Sequence, residues 1–494
     1  SLYFNTTGVK NTAVGTNALT GNVIGSNNSA FGWYALTSNT TNNNSAFGYK
    51  ALFANTTGTY NTAVGSSALV SNTIGTNNNA FGYRALYSNT TGTFNNAFGR
   101  SVLQNNTIGA YNSSFGHYTL AANTIGNNNT AVGYKSLSNN TTGSNNSAFG
   151  FYTLSNNTIG TNNNAVGVYA LFNNTTGIAN SAFGYQSLLS NTGGQGNTAV
   201  GNASLRNNTI GVYNTAVGSG ALYYNTTGNY NSAVGFYSLL LNTTGAYNSS
   251  FGMYAMRNNT GGVRNSAFGY GALLTNSVGV NNTAVGYLAL YTNTTNDNTA
   301  VGYRALFLNT IGTANVAVGT SALENNTTGN YNNAFGHGAL YNNTTAARNH
   351  AFGFRSLYTN TSGVSNNAFG YQALYSNTFG NLNVAVGTNA LYSNTTGGSN
   401  NAFGYRALFS NTIGVNNSAF GLYALRNNVI GGANAAFGYS ALRNNTTNNN
   451  SAFGYKALNL NTIGVNNVAV GMQSLQNNTT GSGNTAVGLN SLLA

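Results

Sequence analysis

Apolar and polar positions recur along this chain with a period of seventeen residues. Each period holds a short apolar run, Ala-Val-Gly or Ala-Phe-Gly, a leucine four residues after the glycine, and then an Asn-Thr-Thr-Gly or Asn-Thr-Ile-Gly stretch. The triplet glycines fall at Gly15, Gly32, Gly48, Gly65 and onward to Gly488. There are 29 of them, and 25 of the 28 intervals are seventeen residues long. The remaining three, ending at Gly48, Gly302 and Gly454, are sixteen. Numbered from its asparagine, so that Asn11 is position 1, the unit reads N-[TSN]-A-[VF]-G-Y-x-[AS]-L-x-x-N-T-[TI]-G-x-x.

A period of seventeen is too short for a helical repeat and has the wrong leucine spacing for a leucine-rich one. Short apolar runs separated by Asn/Thr/Gly turn chemistry predict strands and turns. The expected fold is all-β: a parallel β-solenoid, or β-roll, with one coil per repeat and about 29 coils. Residues 1–494 then form a single continuous array, with coils about 4.8 Å apart and a rod roughly 140 Å long. Within a coil, strand one is placed near positions 2 to 6, a bend near 6 to 8, strand two near 8 to 11, and a turn through 12 to 17. Positions 4 and 9 are five residues apart and would face opposite sides of one strand. A corner between them lets the position-4 Val or Phe and the position-9 Leu both point into the core.

Invariance sharpens this picture. Position 1 is Asn in all 29 units, and position 9 is Leu except at Met256. Position 12 is Asn from Asn22 to Asn478, and position 3 is Ala except at Ser114 and Ser250. Identical residues stacked along a solenoid form ladders, so positions 1 and 12 are the expected amide ladders. In the first coil the ladder set is Asn11, Gly15, Leu19 and Asn22; in the eighth it is Asn129, Val132, Gly133, Leu137 and Asn140. Position-5 glycine, inside the apolar run, marks a bend or the close approach of another backbone. Position-15 glycine reads as a left-handed turn residue, replaced in the short coils by Asn42, Asn296 and Asn448. One coil buries too little to fold alone, so stability must come from stacking.

With 64 Gly, no Pro, no Cys and 3% charged residues, the composition is neither that of an average enzyme nor that of a charged linker. Lack of cysteine excludes a disulfide framework. No apolar stretch approaches a membrane span and no signal peptide is evident. The sequence opens and closes in mid-unit, at Ser1 and Ala494, without the polar caps that solenoids usually carry. This leads to the expectation of end-to-end self-association into a filament, with a lateral dimer or trimer admitted along the position-3 and position-5 face.

The unit N-T-A-V-G-Y-K-S-L-S-N-N-T-T-G, Asn129 to Gly143, resembles tandem repeats of large surface and fibre proteins of bacteria, phages and large viruses. More distantly it is similar to the β-roll heads of trimeric autotransporter adhesins. The resemblance implies an extracellular fibre or stalk at a cell or virion surface, often trimeric and often adhesive.

Candidate chemistry is sparse. Asp297 and Glu324 are the two acids, too far apart in the array for a glycosidase pair. His117, His337 and His350 lack acidic partners, and no catalytic, metal or cofactor residues are assigned. The net charge of +13 is spread over 29 coils, too thinly for a nucleic-acid stripe. Seven basic residues, Lys50, Arg84, Lys135, Arg304, Arg355, Arg406 and Lys456, share position 7, which is therefore expected to be exposed. Tyrosines at positions 6, 7 and 10 should form stripes whose first role is cross-coil stacking. Asn-x-Ser/Thr acceptors, including Asn55, Asn105, Asn140 and Asn225, raise covalent glycans as a candidate modification. The favoured reading is a structural extracellular fibre acting as scaffold, stalk or coat. An adhesin binding glycans or surfaces through the tyrosine stripes is the second; an ice-binding rod is the third, disfavoured because its threonines fall in a turn.

Overall fold

A computed structural model describes residues 1–493; Ala494 lies outside the described residues. The chain divides into two compact units, Ser1–Tyr247 and Asn248–Ala494. Each is a parallel β-solenoid, without helices among the described residues. The first unit carries fourteen three-residue strands, β1 (Thr12–Val14) to β14 (Ser232–Val234), and the second fifteen, β15 (Ser249–Phe251) to β29 (Thr485–Val487). Every strand occupies positions 2 to 4 of its repeat, and within each unit it pairs in parallel with the equivalent residues of the neighbouring coil. Thr12 faces Ser29, Ala13 faces Ala30 and Val14 faces Phe31. The sixteen-residue coils keep the same register, with Ala30 opposite Ala46, Ala284 opposite Ala300 and Ala436 opposite Ala452.

The core is narrower than the sequence suggested. Its apolar part consists of the position-3 and position-8 small residues and the position-9 leucine, as in Ala30, Ala35 and Leu36, all fully buried. The position-4 Val or Phe points outward, against expectation: Val14 is 55% and Phe31 36% exposed. In a three-residue strand, alternation allows one inward residue, and the alanine takes it because it fits the narrow interior. The outward phenylalanines stack on one another instead, with ring centroids 4.7 Å apart at Phe81–Phe98 and 4.9 Å at Phe98–Phe115. Because position 3 is wholly inside the coil, it offers no face to a neighbouring chain.

The second strand expected at positions 8 to 11 does not form. Positions 7, 9 and 17 adopt left-handed φ, near +50 to +60°, as at Tyr34, Leu36 and Asn43. A residue of that sign interrupts a strand and turns the chain. Two tight turns follow: Ala18 N–H donates to Gly15 O and Asn22 N–H to Leu19 O. All three left-handed positions donate their N–H to an adjacent coil: Tyr34 to Thr16 O at 3.0 Å, Leu36 to Ala51 O at 2.9 Å and Asn43 to Ser26 O at 3.0 Å. Coil-to-coil bonding thus continues round the perimeter where the backbone is not extended. Left-handed geometry costs an L-residue about 1–2 kcal/mol, and full burial of the leucine contributes about 1.5–3 kcal/mol, so at position 9 burial wins.

The position-5 glycine meets the expected close approach of another backbone and adds a positive φ, whereas the left-handed conformation expected at position 15 is absent. Position-5 glycine has φ of +125° at Gly15 and +136° at Gly32, and a Cβ on Gly15 would lie 2.7 Å from Gly32 O of the next coil. Both the φ and the close approach exclude a side chain. Position-15 glycine is not left-handed; space alone disfavours a side chain, since a Cβ on Gly109 would lie 2.6 Å from Gly126 O. Ala346 marks the one full coil that accommodates a Cβ, with Asn332 and Asn343 still donating to its carbonyl. In the short coils the residue equivalent to it is the threonine before the asparagine. Asn39 Nδ2 donates to Thr41 O, as Asn22 Nδ2 does to Gly25 O in a full coil. Thr41 tolerates its Cβ there by directing Oγ1 to Gly58 O at 2.7 Å. Asn42 therefore occupies position 16, where its Oδ1 accepts from Ser26 N–H, and Asn296 and Asn448 do the same for Val280 and Gly432.

Left-handed φ at position 9 makes a sharp prediction. Leu137→Ile keeps volume and hydrophobicity but places a β-branched side chain at positive φ, which such residues resist. It should destabilise its coil by about 1–2 kcal/mol beyond Leu137→Met, read as faster amide exchange and protease cleavage around residues 134–142. Equal behaviour of the two variants would remove the backbone explanation.

Candidate functional site

Two columns of buried asparagine amides run through each unit and are the most constant feature of the interior. At position 12, each Nδ2 donates to the Oδ1 of the preceding coil and to the position-15 carbonyl of its own: Asn140 reaches Asn123 Oδ1 at 2.8 Å and Gly143 O at 2.9 Å. At position 1, each Oδ1 accepts the backbone N–H of the next coil's asparagine, as Asn112 Oδ1 does from Asn129 at 3.0 Å. The Asn129 Nδ2 donates to Asn112 Oδ1 and to Gly143 O. Both columns thus converge on one carbonyl per coil, and both amide hydrogens of Asn129 and of Asn140 are used. These groups are fully buried, and an unpaired buried amide costs about 1–3 kcal/mol. Aspartate, a pure acceptor when ionised, cannot replace them.

The position-12 column falters at the short coils. Asn39 Nδ2 lies 3.4 Å from Asn22 Oδ1, while Asn276 Oδ1 and Asn428 Oδ1, each facing the following short coil, are buried without a partner. Beyond the defect the column resumes, with Asn309 Nδ2 donating to Asn293 Oδ1 at 2.7 Å. Removing one residue between positions 12 and 15 shifts the amide enough to lose one bond and no more.

This geometry bears on every residue singled out from the sequence. Asn11, Gly15, Leu19 and Asn22, and likewise Asn129, Gly133, Leu137 and Asn140, occupy ladders; Val132 does too, but on the outer face between Phe115 and Phe149. Of the four glycan acceptors, Asn55, Asn140 and Asn225 belong to the buried column, with Nδ2 doubly committed. A glycan on those atoms is incompatible with the folded coil. Asn105, at position 11, is exposed.

The outer surface is aromatic and sparsely charged. Position-10 rings stack at Tyr341–Tyr358, Tyr358–Tyr375 and Tyr375–Tyr392, with centroids 5.1, 5.4 and 5.1 Å apart. Position-6 rings do so at Tyr270–Tyr287, 5.3 Å. A third stripe, at position 17, was not anticipated; Tyr213–Tyr230 and Tyr230–Tyr247 stack at 5.3 and 5.0 Å. Its signal was recurrent Tyr at Tyr60, Tyr111 and Tyr213, lost among the more variable turn positions. Most position-7 cations lie across two rings rather than projecting freely, while Arg304 and Lys456 each meet one. Arg84 sits 5.2 Å from Tyr83 and 5.3 Å from Tyr87, and Arg406 sits 5.2 Å from Tyr405 and 5.3 Å from Phe409. Such contacts contribute about 0.5–1 kcal/mol at exposed sites.

The acids are separate. Glu324 is buried against Arg304 in an ion pair of 2.9 Å, and Asp297 accepts from Asn281 at 3.0 Å. His350 pairs with Asn333 and His337 stacks on Phe354. Among the described residues no three His, Cys, Asp or Glu gather as a metal site, and no helix is long and apolar enough to cross a membrane. Neither a protein-family model nor a curated protein matches the chain.

Two outcomes follow from the columns. Asn140→Asp places an anion against Asn123 Oδ1 and Gly143 O and should cost about 2–3 kcal/mol at neutral pH. The folded coil favours the protonated acid, so its pKa rises above the unfolded value and the variant regains stability as pH falls through that raised value. Amide exchange at Thr141 across a pH series, corrected for intrinsic rates, tests the sign. Secreted from a glycosylating host, the chain should carry N-glycan, among the four acceptors, at Asn105 alone; peptide mass mapping that finds it on folded Asn55, Asn140 or Asn225 would contradict the burial.

Proposed function

We propose that the chain is a structural element of an extracellular fibre or surface coat, a stiff scaffold or stalk rather than a catalyst. The observation that carries this reading is that the near-invariant side chains of the repeat are all accounted for by stacking. The asparagines bond from coil to coil, the glycines admit the next backbone, and the alanine and leucine fill the narrow core. None of the constant positions is left over for a substrate. The resemblance to surface and fibre proteins supports the extracellular placement.

Because each coil presents the same donors and acceptors as its neighbour, the bonds that join coils within a chain are equally suited to joining coils of two chains. End-to-end growth is the assembly this function needs. Purified chain, raised in concentration and followed by electron microscopy and sedimentation, should form filaments of one width with a layer line near 4.8 Å. Particles of single-chain mass at every concentration would overturn the filament reading. The aromatic stripes keep an adhesin as the second reading, since much of their ring surface is half exposed.

A further inference from the structure

Position 10 forms a ridge of large side chains along much of the solenoid, and that ridge is interrupted in the first unit. Three consecutive coils carry Ala121, Ser138 and Ser155 there, between Gln104 on one side and Phe172 on the other. The gap is an open groove of about 430 Å³, within the range of small-molecule sites. From Gln104 to Phe172 it crosses five coils, roughly 19 Å at about 4.8 Å per coil. Its floor is polar: Ser138 and Ser155 are nearly buried, and their hydroxyls lie 2.9 Å apart.

The two walls differ chemically. One is formed by position 7, with Tyr118, Lys135 and Tyr152 side by side. The Lys135 ammonium lies 5.6 Å from the Tyr134 ring and 5.4 Å from the Tyr152 ring. The other wall is formed by amides, Asn105 and Asn139 at position 11 with Gln104 of position 10 at its end. Asn139 Nδ2 donates to Asn156 Oδ1 at 3.1 Å, while Asn139 Oδ1 and the side chains of Gln104 and Asn105 make no hydrogen bond among the described residues. Aromatic rings on one side, unspent amides on the other, hydroxyls beneath and a single cation match a ligand with apolar ring faces, hydroxyl edges and a carboxylate. Nucleic acid fits less well, because one ammonium cannot neutralise a phosphate on every nucleotide.

We propose that this groove binds a carboxylated oligosaccharide lying along the coil axis, its sugar rings against Tyr118 and Tyr152 and a carboxylate on Lys135. The inference goes beyond the scaffold reading and is independent of whether the chain forms filaments. A hydrogen bond to Tyr152, and then the neighbouring tyrosines Tyr134 and Tyr152, hold the Lys135 pKa above the ordinary 10.5. Lys135 therefore stays cationic below that pH, and a sugar carboxylate is ionised well above pH 4. Affinity should accordingly be flat from about pH 6 to 9 and fall with salt.

The test titrates the full chain, made in a non-glycosylating host so that Asn105 is unmodified, with trigalacturonate, with its neutral methyl ester and with 3′-sialyllactose, following binding by calorimetry or ligand-observed NMR. Uronate and sialate arms separate a polysaccharide source from a glycoprotein one. At least one acidic probe should bind, and Lys135→Gln should weaken it roughly tenfold without changing the methyl ester. Lys456→Gln, at position 7 of a distant coil, should have no effect. Ser138→Tyr with Ser155→Tyr refills the ridge and should abolish binding. That variant has an internal precedent in the stacked Tyr341, Tyr358, Tyr375 and Tyr392, and protease resistance equal to the parent would verify its fold. Absence of binding by both acidic probes, binding that survives the filled groove, or tighter binding of single-stranded DNA would overturn the proposal.

Discussion

The structure depends on burying two asparagine amides in every coil. A narrow solenoid has room inside for two small residues and one leucine per turn, too little apolar surface to order seventeen residues. The interior is therefore partly polar, and a polar interior is tolerable only when each donor and acceptor is matched. Stacking in strict register achieves this, because each amide finds its partner one coil away. Register, amide pairing and glycine placement are then one requirement. The position-15 carbonyl must receive two Nδ2 donors, and only a small or accommodated side chain is compatible with this: Ala346 still receives Asn332 and Asn343 at 2.8 and 3.0 Å.

The period, the parallel stacking and the amide ladders were legible in the sequence, since each follows from strict repetition of residues with one chemical use. Orientation within the coil was not. Apolar Val and Phe at position 4 suggest core, yet the alternation between two side chains of very different volume points to a surface, where size matters little. Position 9 carried the complementary signal: it admits Leu and once Met256, never Val or Ile. That preference is what a buried left-handed residue requires, because β-branching resists positive φ. Which glycine takes the positive φ is hidden for a related reason. Composition reveals that a side chain is forbidden, but φ and crowding forbid it equally, and only the geometry at Gly15 and Gly109 separates them. The short coils were misaligned by counting forward from the start of the unit, when the missing residue lies before position 15.

The surface obeys looser rules than the interior, and this is where individuality resides. Aromatic residues recur at positions 4, 6, 10 and 17, where they stack on equivalents in the next coil, and the sparse cations lie across them. Substitutions there change a local face without disturbing the columns beneath. A run of small residues such as Ala121, Ser138 and Ser155 can therefore open a recess in an otherwise uniform wall, and different recesses can be written on one scaffold.

The sixteen-residue coils have a mechanical meaning. In an array of identical coils every interface is equally strong, so opening under tension or heat has no preferred starting point. The unpartnered Asn276 and Asn428 oxygens lower the cohesion of two interfaces in the second unit, and the stretched Asn22–Asn39 contact does so in the first. Between Asn298 and Asn434 no short coil intervenes, so that stretch lacks such a weakened interface and is the natural unit of cooperative opening. The chain is thereby segmented without linkers. It would lengthen in discrete steps when loaded, each step ending at a defect, so that damage at one place is arrested before it travels through the array.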